Sequence, residues 1–251
     1  MSSFSEFYAN CYDQIHANKN YDDETSRLNN FINENYQGKD LIRILDFGCG
    51  TGGHLRSLQM KGRELSGFDI STDMLTIAKL KTTGINFTNN LDELDSNFNL
   101  VYSLFDVVNY QVSADSLRSF IDGVATKLLP GGYFICDGWN LDGVRLDPPK
   151  ITQRDFVVHN KKITRRVEPS FDDNYRFSNL KIDLTKEGEI QPFLTEVHQI
   201  RAYSPSELIE LLQEIGFEDI RFMDGKVWEK ELEMNSWRFV LFAKKGGGLR
   251  S

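Results

Sequence analysis

Apolar residues near the start of the chain recur at spacings of three and four. Phe4, Phe7, Tyr8, Cys11, Tyr12 and Ile15 make one face of a helix. A second helical stretch follows Tyr21, with Leu28, Phe31 and Ile32 on one side and Gly38 as its end. From residue 41 the pattern becomes strand–helix alternation. Leu41–Phe47 is a short apolar run that stops at a glycine cluster, and His54–Met60 is helical. Leu65–Ile70 is the next strand, and Ser71 is placed to cap a helix through Lys81. Ile85–Thr88, Phe98–Leu104 and Tyr133–Trp139 read as further strands. Leu117, Phe120, Ile121, Val124 and Leu128 mark a helix closed by Pro130-Gly131-Gly132. This alternation implies a mostly parallel sheet with helices on both faces.

The period then changes again. Residues 151 to 203 hold three alternating runs: Asp155–His159 continuing through Ile163–Val167, then Tyr175–Leu184, then Phe193–Tyr203. They predict an antiparallel sheet inserted between elements of the parallel one. Ser204-Pro205-Ser206-Glu207 is a strong helix start: a capping Ser, Pro at the first helical position, and Glu three after the cap. That helix ends at Gly216. Phe217–Met223 and Trp237–Ala243 supply two last strands, and 246–251 reads as a flexible tail.

Composition narrows the options. The 251 residues carry 29 Lys+Arg against 37 Asp+Glu, a formal charge of −8. That balance argues against non-specific binding to nucleic acid or an anionic membrane. No stretch reaches the ~18–20 apolar residues of a transmembrane helix, and Met1–Asn20 lacks the pattern of a secretory signal. Cys11, Cys49 and Cys136 are far apart and odd in number. They suit a reducing, cytoplasmic setting and give no zinc-type spacing; no metal is expected.

The sharpest feature is Ile44-Leu45-Asp46-Phe47-Gly48-Cys49-Gly50-Thr51-Gly52-Gly53, placed where a strand turns into a helix. Glycines there allow tight turns and let a ligand approach the main chain. Asp69 ends the next strand, 21 positions after Gly48, where a carboxylate can accept from a ribose diol. Together they specify a nucleoside-type cofactor. Gly48, Gly50 and Gly53 also satisfy the dinucleotide pattern, so a nicotinamide oxidoreductase stays open. Asp46 leans away from it, because a carboxylate there repels a pyrophosphate but suits a cationic amino-acid end.

Leu45–Gly52 resembles the first motif of the class I S-adenosylmethionine-dependent methyltransferases. Gly67–Leu75 resembles the second, Phe98–Ser103 the fourth-strand motif, and Leu128–Phe134 the turn into the fifth strand. The resemblance implies an α/β, Rossmann-like, seven-stranded sheet, mostly parallel with an antiparallel last strand. One domain over 1–245 is expected: a helical lid (1–38), a cofactor-binding half (39–140), the inserted antiparallel sheet over the active site (151–203), and a final helix and strands (204–245). By the same resemblance Gly48, Cys49 and Gly50 lie under the methionine and ribose of S-adenosylmethionine, and Asp69 holds the ribose. Ile70 and Met74 sandwich adenine, Asn90 and Leu91 face its edge with Asp92 as a shifted candidate, and Leu104 and Phe105 flank the sulfonium. A non-catalytic S-adenosylmethionine-binding protein is the further alternative.

The position after the fourth strand reads Ser103-Leu104-Phe105-Asp106, without the Pro-Pro-aromatic motif of nucleic-acid amino methyltransferases. A closer resemblance is to the nucleotide-linked amino-sugar N-methyltransferases. Tyr12–His16 with Tyr21, Ser103–Tyr110, Cys136-Asp137-Gly138-Trp139, and Thr195–Ile200 with Tyr203-Ser204 carry it. Tyr12 then belongs to an aromatic lid, and Tyr21 is placed to bond the cofactor carboxylate. Tyr110 orients the acceptor amine or takes its proton, and Glu196 and His198 alternate onto one face toward the pocket. Trp139 and Asn109 would line the acceptor site, although Asp106 and Asn109 stand where that group has small residues. Lys161, Lys162, Arg165 and Arg166 form the one basic cluster, a candidate receiver for a diphosphate, with Arg165 and Arg166 as the substrate-binding pair. Alternation puts Lys162 and Arg166 on one face and Lys161 and Arg165 on the other. The partner expected is a small-molecule acceptor: an amino sugar on a nucleotide, or another small amine, amino acid or hydroxyl. A homodimer through the open edges of the inserted sheet is a further expectation.

Overall fold

In the computed structural model, residues 6–16, 21–158 and 160–247 are described. Phe4, His159 and residues 248–251 of the expected tail lie outside them. Two helices come first, α1 (Glu6–Ile15) and α2 (Tyr21–Asn35). The parallel core follows as β1 (Ile42–Phe47), α3 (Gly53–Leu58), β2 (Arg63–Phe68), α4 (Thr72–Lys81), β3 (Asn86–Thr88), β4 (Phe98–Ser103), α5 (Ala114–Lys127) and β5 (Leu128–Trp139). A short α6 (Leu141–Leu146) leads into β6 (Thr152–Val158), β7 (Lys161–Phe171), β8 (Phe177–Lys186) and β9 (Leu194–Arg201). The chain then returns through α7 (Pro205–Ile215), β10 (Phe217–Asp224) and β11 (Arg238–Lys245).

The seven-stranded sheet has the order β10-β11-β5-β4-β1-β2-β3, with β11 antiparallel to both its neighbours. β1 shows why both faces are buried. Ile44 and Leu45 are fully buried on opposite sides. Leu45 packs with Phe120, Ile121 and Val124 of α5 and Leu208 and Leu212 of α7. Ile44 packs with Leu28, Phe31 and Ile32 of α2, Leu55 and Leu58 of α3, and Leu75 and Ala78 of α4. The capping signals hold: Ser71 accepts from the Met74 amide, and Ser204 and Glu207 form a capping box behind Pro205.

The inserted sheet runs β6-β7-β8-β9, all antiparallel. It has four strands, not three. The run expected to continue from Asp155 through Val167 is a hairpin, with Val158 paired to Lys161 and Asn160 in the left-handed conformation that a two-residue turn requires. Its inner face, with Ile163, Val167, Ile182 and Leu184, packs under Tyr8 and Cys11 of α1. Glu207 ties the insertion to α7 by accepting from Arg176 at 2.5 Å and Arg201 at 2.8 Å. Burial alone would raise its carboxyl, but Arg176 and Ser204 hold it down to about 2. No helix among the described residues is long and apolar enough to cross a membrane.

Candidate active site

One alternation rule assembles the site. Side chains two apart on a strand share a face. Asp46 follows Ile44, Tyr102 follows Leu100, Asp137 follows Ile135, and Arg238 precedes Val240. Ile44, Leu100, Ile135 and Val240 all belong to the core under α2. The four polar side chains therefore sit on that face, at the ends of β1, β4 and β5 and the start of β11.

The glycine loop is shaped for close approach. Gly48, Gly50 and Gly52 have φ of 94°, 52° and 76°, and the Gly48 and Cys49 amides both donate to the Phe68 carbonyl. A Cβ on Gly48 would lie 2.7 Å from the Val107 methyls, whereas one on Gly50 would meet nothing within 4 Å. Gly50 is the open side of the cradle. Gly48→Ala is expected to cost about 1–3 kcal/mol through its left-handed backbone and to displace Val107. Thermal unfolding together with a cofactor titration checks this. Asp69 fixes the cradle: one carboxylate oxygen accepts from the Gly50 amide and the other from the Ser71 amide, each at 2.8 Å. A carboxylate has about four acceptor positions, so hydroxyls can still be bound. Burial raises its carboxyl and the two amides pull it back.

At the end expected to take the methionine, Asp46 is 1% exposed and raises the neighbouring Tyr102 phenol, which burial already pushes well up. Tyr21 opens α2 and lies on Gly53, where a Cβ would come within 2.6 Å of its ring. Burial, then Glu24 and Asp46, push its phenol to about 12. Glu24 contacts His54 Nε2 at 2.5 Å. The Cys49 thiol is pushed well up by burial and by Asp46 and Asp69, so it is not a thiolate nucleophile. The lid closes over this end. Asp13 accepts from the Thr51 hydroxyl at 2.7 Å and pairs with Lys81 of α4. Tyr12 and His16 pack edge-on against Phe105. The Tyr12 phenol is raised by burial and by its neighbours Tyr21, Tyr110, Tyr8 and Asp69, which places it at the centre of the expected residues.

On the side expected to take adenine, Ile70 is 86% exposed and Met74 is buried. Asn90 caps a single 3-10 turn, Leu91–Glu93, by accepting from the Asp92 amide. The Leu91 methyl lies against Gly123, beside Phe47. Asp92 is exposed.

On the acceptor side, Leu104 is buried, and Phe105 and Asp106 both have positive φ, 74° and 66°. Two consecutive non-glycine residues in that conformation are strained. The Asp106 amide donates to Asp137 at 2.9 Å, and Arg238 pairs with Asp106 and lies 3.6 Å from Asp137. Burial pushes the Asp137 carboxyl to about 6 against the opposing pull of Arg238. A cleft of about 300 Å³ opens here between the first turns of α2 and the β10–β11 loop; Leu104, Asp137, Glu24 and Lys226 line it. Across the site, the Tyr110 hydroxyl lies 3.0 Å from His198 Nδ1, and His198 Nε2 lies 3.0 Å from Glu196. His198 is 2% exposed.

The four expected substrate residues, Asn109, Trp139, Arg165 and Arg166, are engaged within the protein. Asn109 is fully buried, and its amide is spent on the backbone: Nδ2 donates to the Arg201 carbonyl and Oδ1 accepts from the Trp139 amide. It stitches β5 to the insertion. Trp139 is buried against Trp237, with ring centroids 4.6 Å apart, under the insertion. Arg166 pairs with Glu168, whereas Arg165 faces inward and hydrogen-bonds Tyr8; the two do not meet one ligand. The sequence assigns no role to Glu24, His54 or Arg238, and marks Asp106 only as a departure from the group's small residues. Their only sequence signal is a polar residue interrupting a buried face, and that signal does not name a partner.

The residues fit S-adenosylmethionine. An open glycine cradle, a carboxylate with spare acceptor positions and the buried acid Asp46 match its backbone approach, ribose and cationic end. A family model described as "Methyltransferase domain" matches residues 44–132, from β1 into β5. The dTDP-3-amino-3,4,6-trideoxy-alpha-D-glucopyranose N,N-dimethyltransferase of Streptomyces venezuelae is 28% identical over 174 residues, 63% of this chain and 73% of that protein. An S-adenosylmethionine-dependent methyltransferase from Clostridium acetobutylicum shares the fold with a TM-score of 0.76 at 23% identity, over 96% of this chain and 98% of that one. The SAM-bound amino pentose methyltransferase CalS10 of Micromonospora echinaspora shares it at 0.72 and 18%, over 96% and 98%.

Proposed function

We propose that this S-adenosylmethionine-dependent methyltransferase methylates the amino nitrogen of a nucleotide-linked sugar. The observation that carries the reading is the hydrogen-bonded chain Tyr110–His198–Glu196, which stands beside the loop after β4. Relatives named as dTDP-amino-sugar N,N-dimethyltransferases add support. Gly48, Cys49, Gly50, Asp69 and Met74 would hold the cofactor, with Asp46 and Tyr21 at its amino-acid end. When bound, S-adenosylmethionine supplies an electrophilic methyl carbon on a sulfonium. The chain's task is then to present a nitrogen lone pair and exclude water.

An amine arriving as ammonium must first lose a proton. The Tyr110 phenol is pushed far up by burial, then by Tyr8 and Asp106, so it stays a hydroxyl. It accepts the ammonium proton while passing its own to His198 Nδ1. The neutral His198 donates Nε2–H to Glu196, and that carboxylate steadies the imidazolium formed; this tautomer is assigned from the hydrogen-bond pattern. The lid keeps water out through Tyr12, His16 and Phe105. A direct test compares a dTDP-linked amino sugar with its hydroxyl counterpart. The amine is expected to be methylated, with the methyl on nitrogen by NMR. Transfer to the hydroxyl compound alone would overturn the reading.

A further inference from the structure

We propose that Asp137 is the counter-ion that receives the acceptor as an ammonium and selects amines over alcohols. The inference rests on the amine reading above and adds a residue to it. Asp137 lines the 300 Å³ cleft together with Leu104, the residue at the end of β4. Its side chain is 12% exposed and lines the cleft, so a cation there can reach it. It is held in place from two sides: one oxygen accepts the Asp106 amide, and the other faces Arg238.

The charge count around it leaves room for a cation. Arg238 on β11 is shared between Asp106, after β4, and Asp137 on β5. Glu24 on α2 acts electrostatically on both Asp137 and Arg238. Three carboxylates thus face one guanidinium, with Glu24 also in contact with His54. Lys226 and the Asp23–Arg27 pair also line the cleft; the pair cancels itself, and counting Lys226 leaves a surplus of one negative charge. A neutral hydroxyl gains nothing from the surplus, while an ammonium gains a charge-assisted hydrogen bond. Tyr110 senses Asp106, so the proton acceptor and the counter-ion border the same loop.

Asp137→Asn is expected to raise KM for the amino sugar roughly 10- to 100-fold, the scale of a lost charged hydrogen bond. Cofactor affinity by calorimetry and the inhibition constant of the hydroxyl analogue should stay unchanged, and Asp137→Glu should recover part of the loss. The wild type supplies a second readout that needs no variant to fold. An aspartate binds a cation only when ionised, so KM should climb as pH falls through about 6, and Asp137→Asn should lack that limb. An unchanged KM in Asp137→Asn, or a hydroxyl analogue weakened by the same factor, overturns the assignment while leaving the amine reading intact. A wild type that does not methylate amines overturns both.

Discussion

Replacing Asp69 by alanine is expected to weaken S-adenosylmethionine binding about 100-fold. The carboxylate does two things at once. It would accept the ribose hydroxyls, and it ties the Gly50 and Ser71 amides at 2.8 Å each. Those two bonds join the open point of the glycine cradle to the start of α4. Hydrogen bonds to a charged group contribute about 1.5–3 kcal/mol each, and ~2.8 kcal/mol is already about 100-fold. Asp69→Asn keeps the shape but loses the charge and one acceptor, so its loss should be smaller. Calorimetric titration of both variants checks the order. Equal affinity for wild type and Asp69→Ala would mean that the ribose is held elsewhere.

Tyr110→Phe is expected to lower kcat about 100-fold with cofactor affinity unchanged. Proton transfer by a placed side chain contributes about 10²–10⁴-fold, and the phenylalanine removes only the hydroxyl that reaches His198. The ring is retained, so its contact with His198, with centroids 5.8 Å apart, persists and the loop should keep its place. Glu196→Gln should do less, because the amide still accepts from His198 but does not stabilise its charge. A Tyr110→Phe enzyme with unaltered kcat and a raised KM would make Tyr110 a binding residue and leave the proton to solvent.

Much of this was legible along the chain, because local chemistry determined it. The glycine loop, the Ser71 cap and the Ser204–Glu207 box each declare themselves within a few residues. The glycine pattern alone also fits a dinucleotide, and it is the match of 44–132 to a methyltransferase domain that favours the other reading. The hairpin at Asn160 was hidden because a two-residue turn barely interrupts the alternation. α6, six residues with Gly143 inside, is too short to show a period. The site's ion pairs were hidden for a different reason. Arg238 and Asp106 are 132 positions apart, and His54 and Glu24 are 30 apart. Periodicity tells which face a residue takes but not what the fold brings opposite. Asn109 shows the converse: a polar residue near the acceptor that the fold uses to join two backbones.

The most direct test is mass spectrometry of a nucleotide-linked amino sugar after incubation with the protein and S-adenosylmethionine carrying a deuterated methyl. The account predicts one or two labelled methyls on the amino nitrogen, with one S-adenosylhomocysteine formed per methyl transferred. An amino sugar that remains unlabelled while the same preparation transfers the methyl to an acceptor without an amine would contradict it.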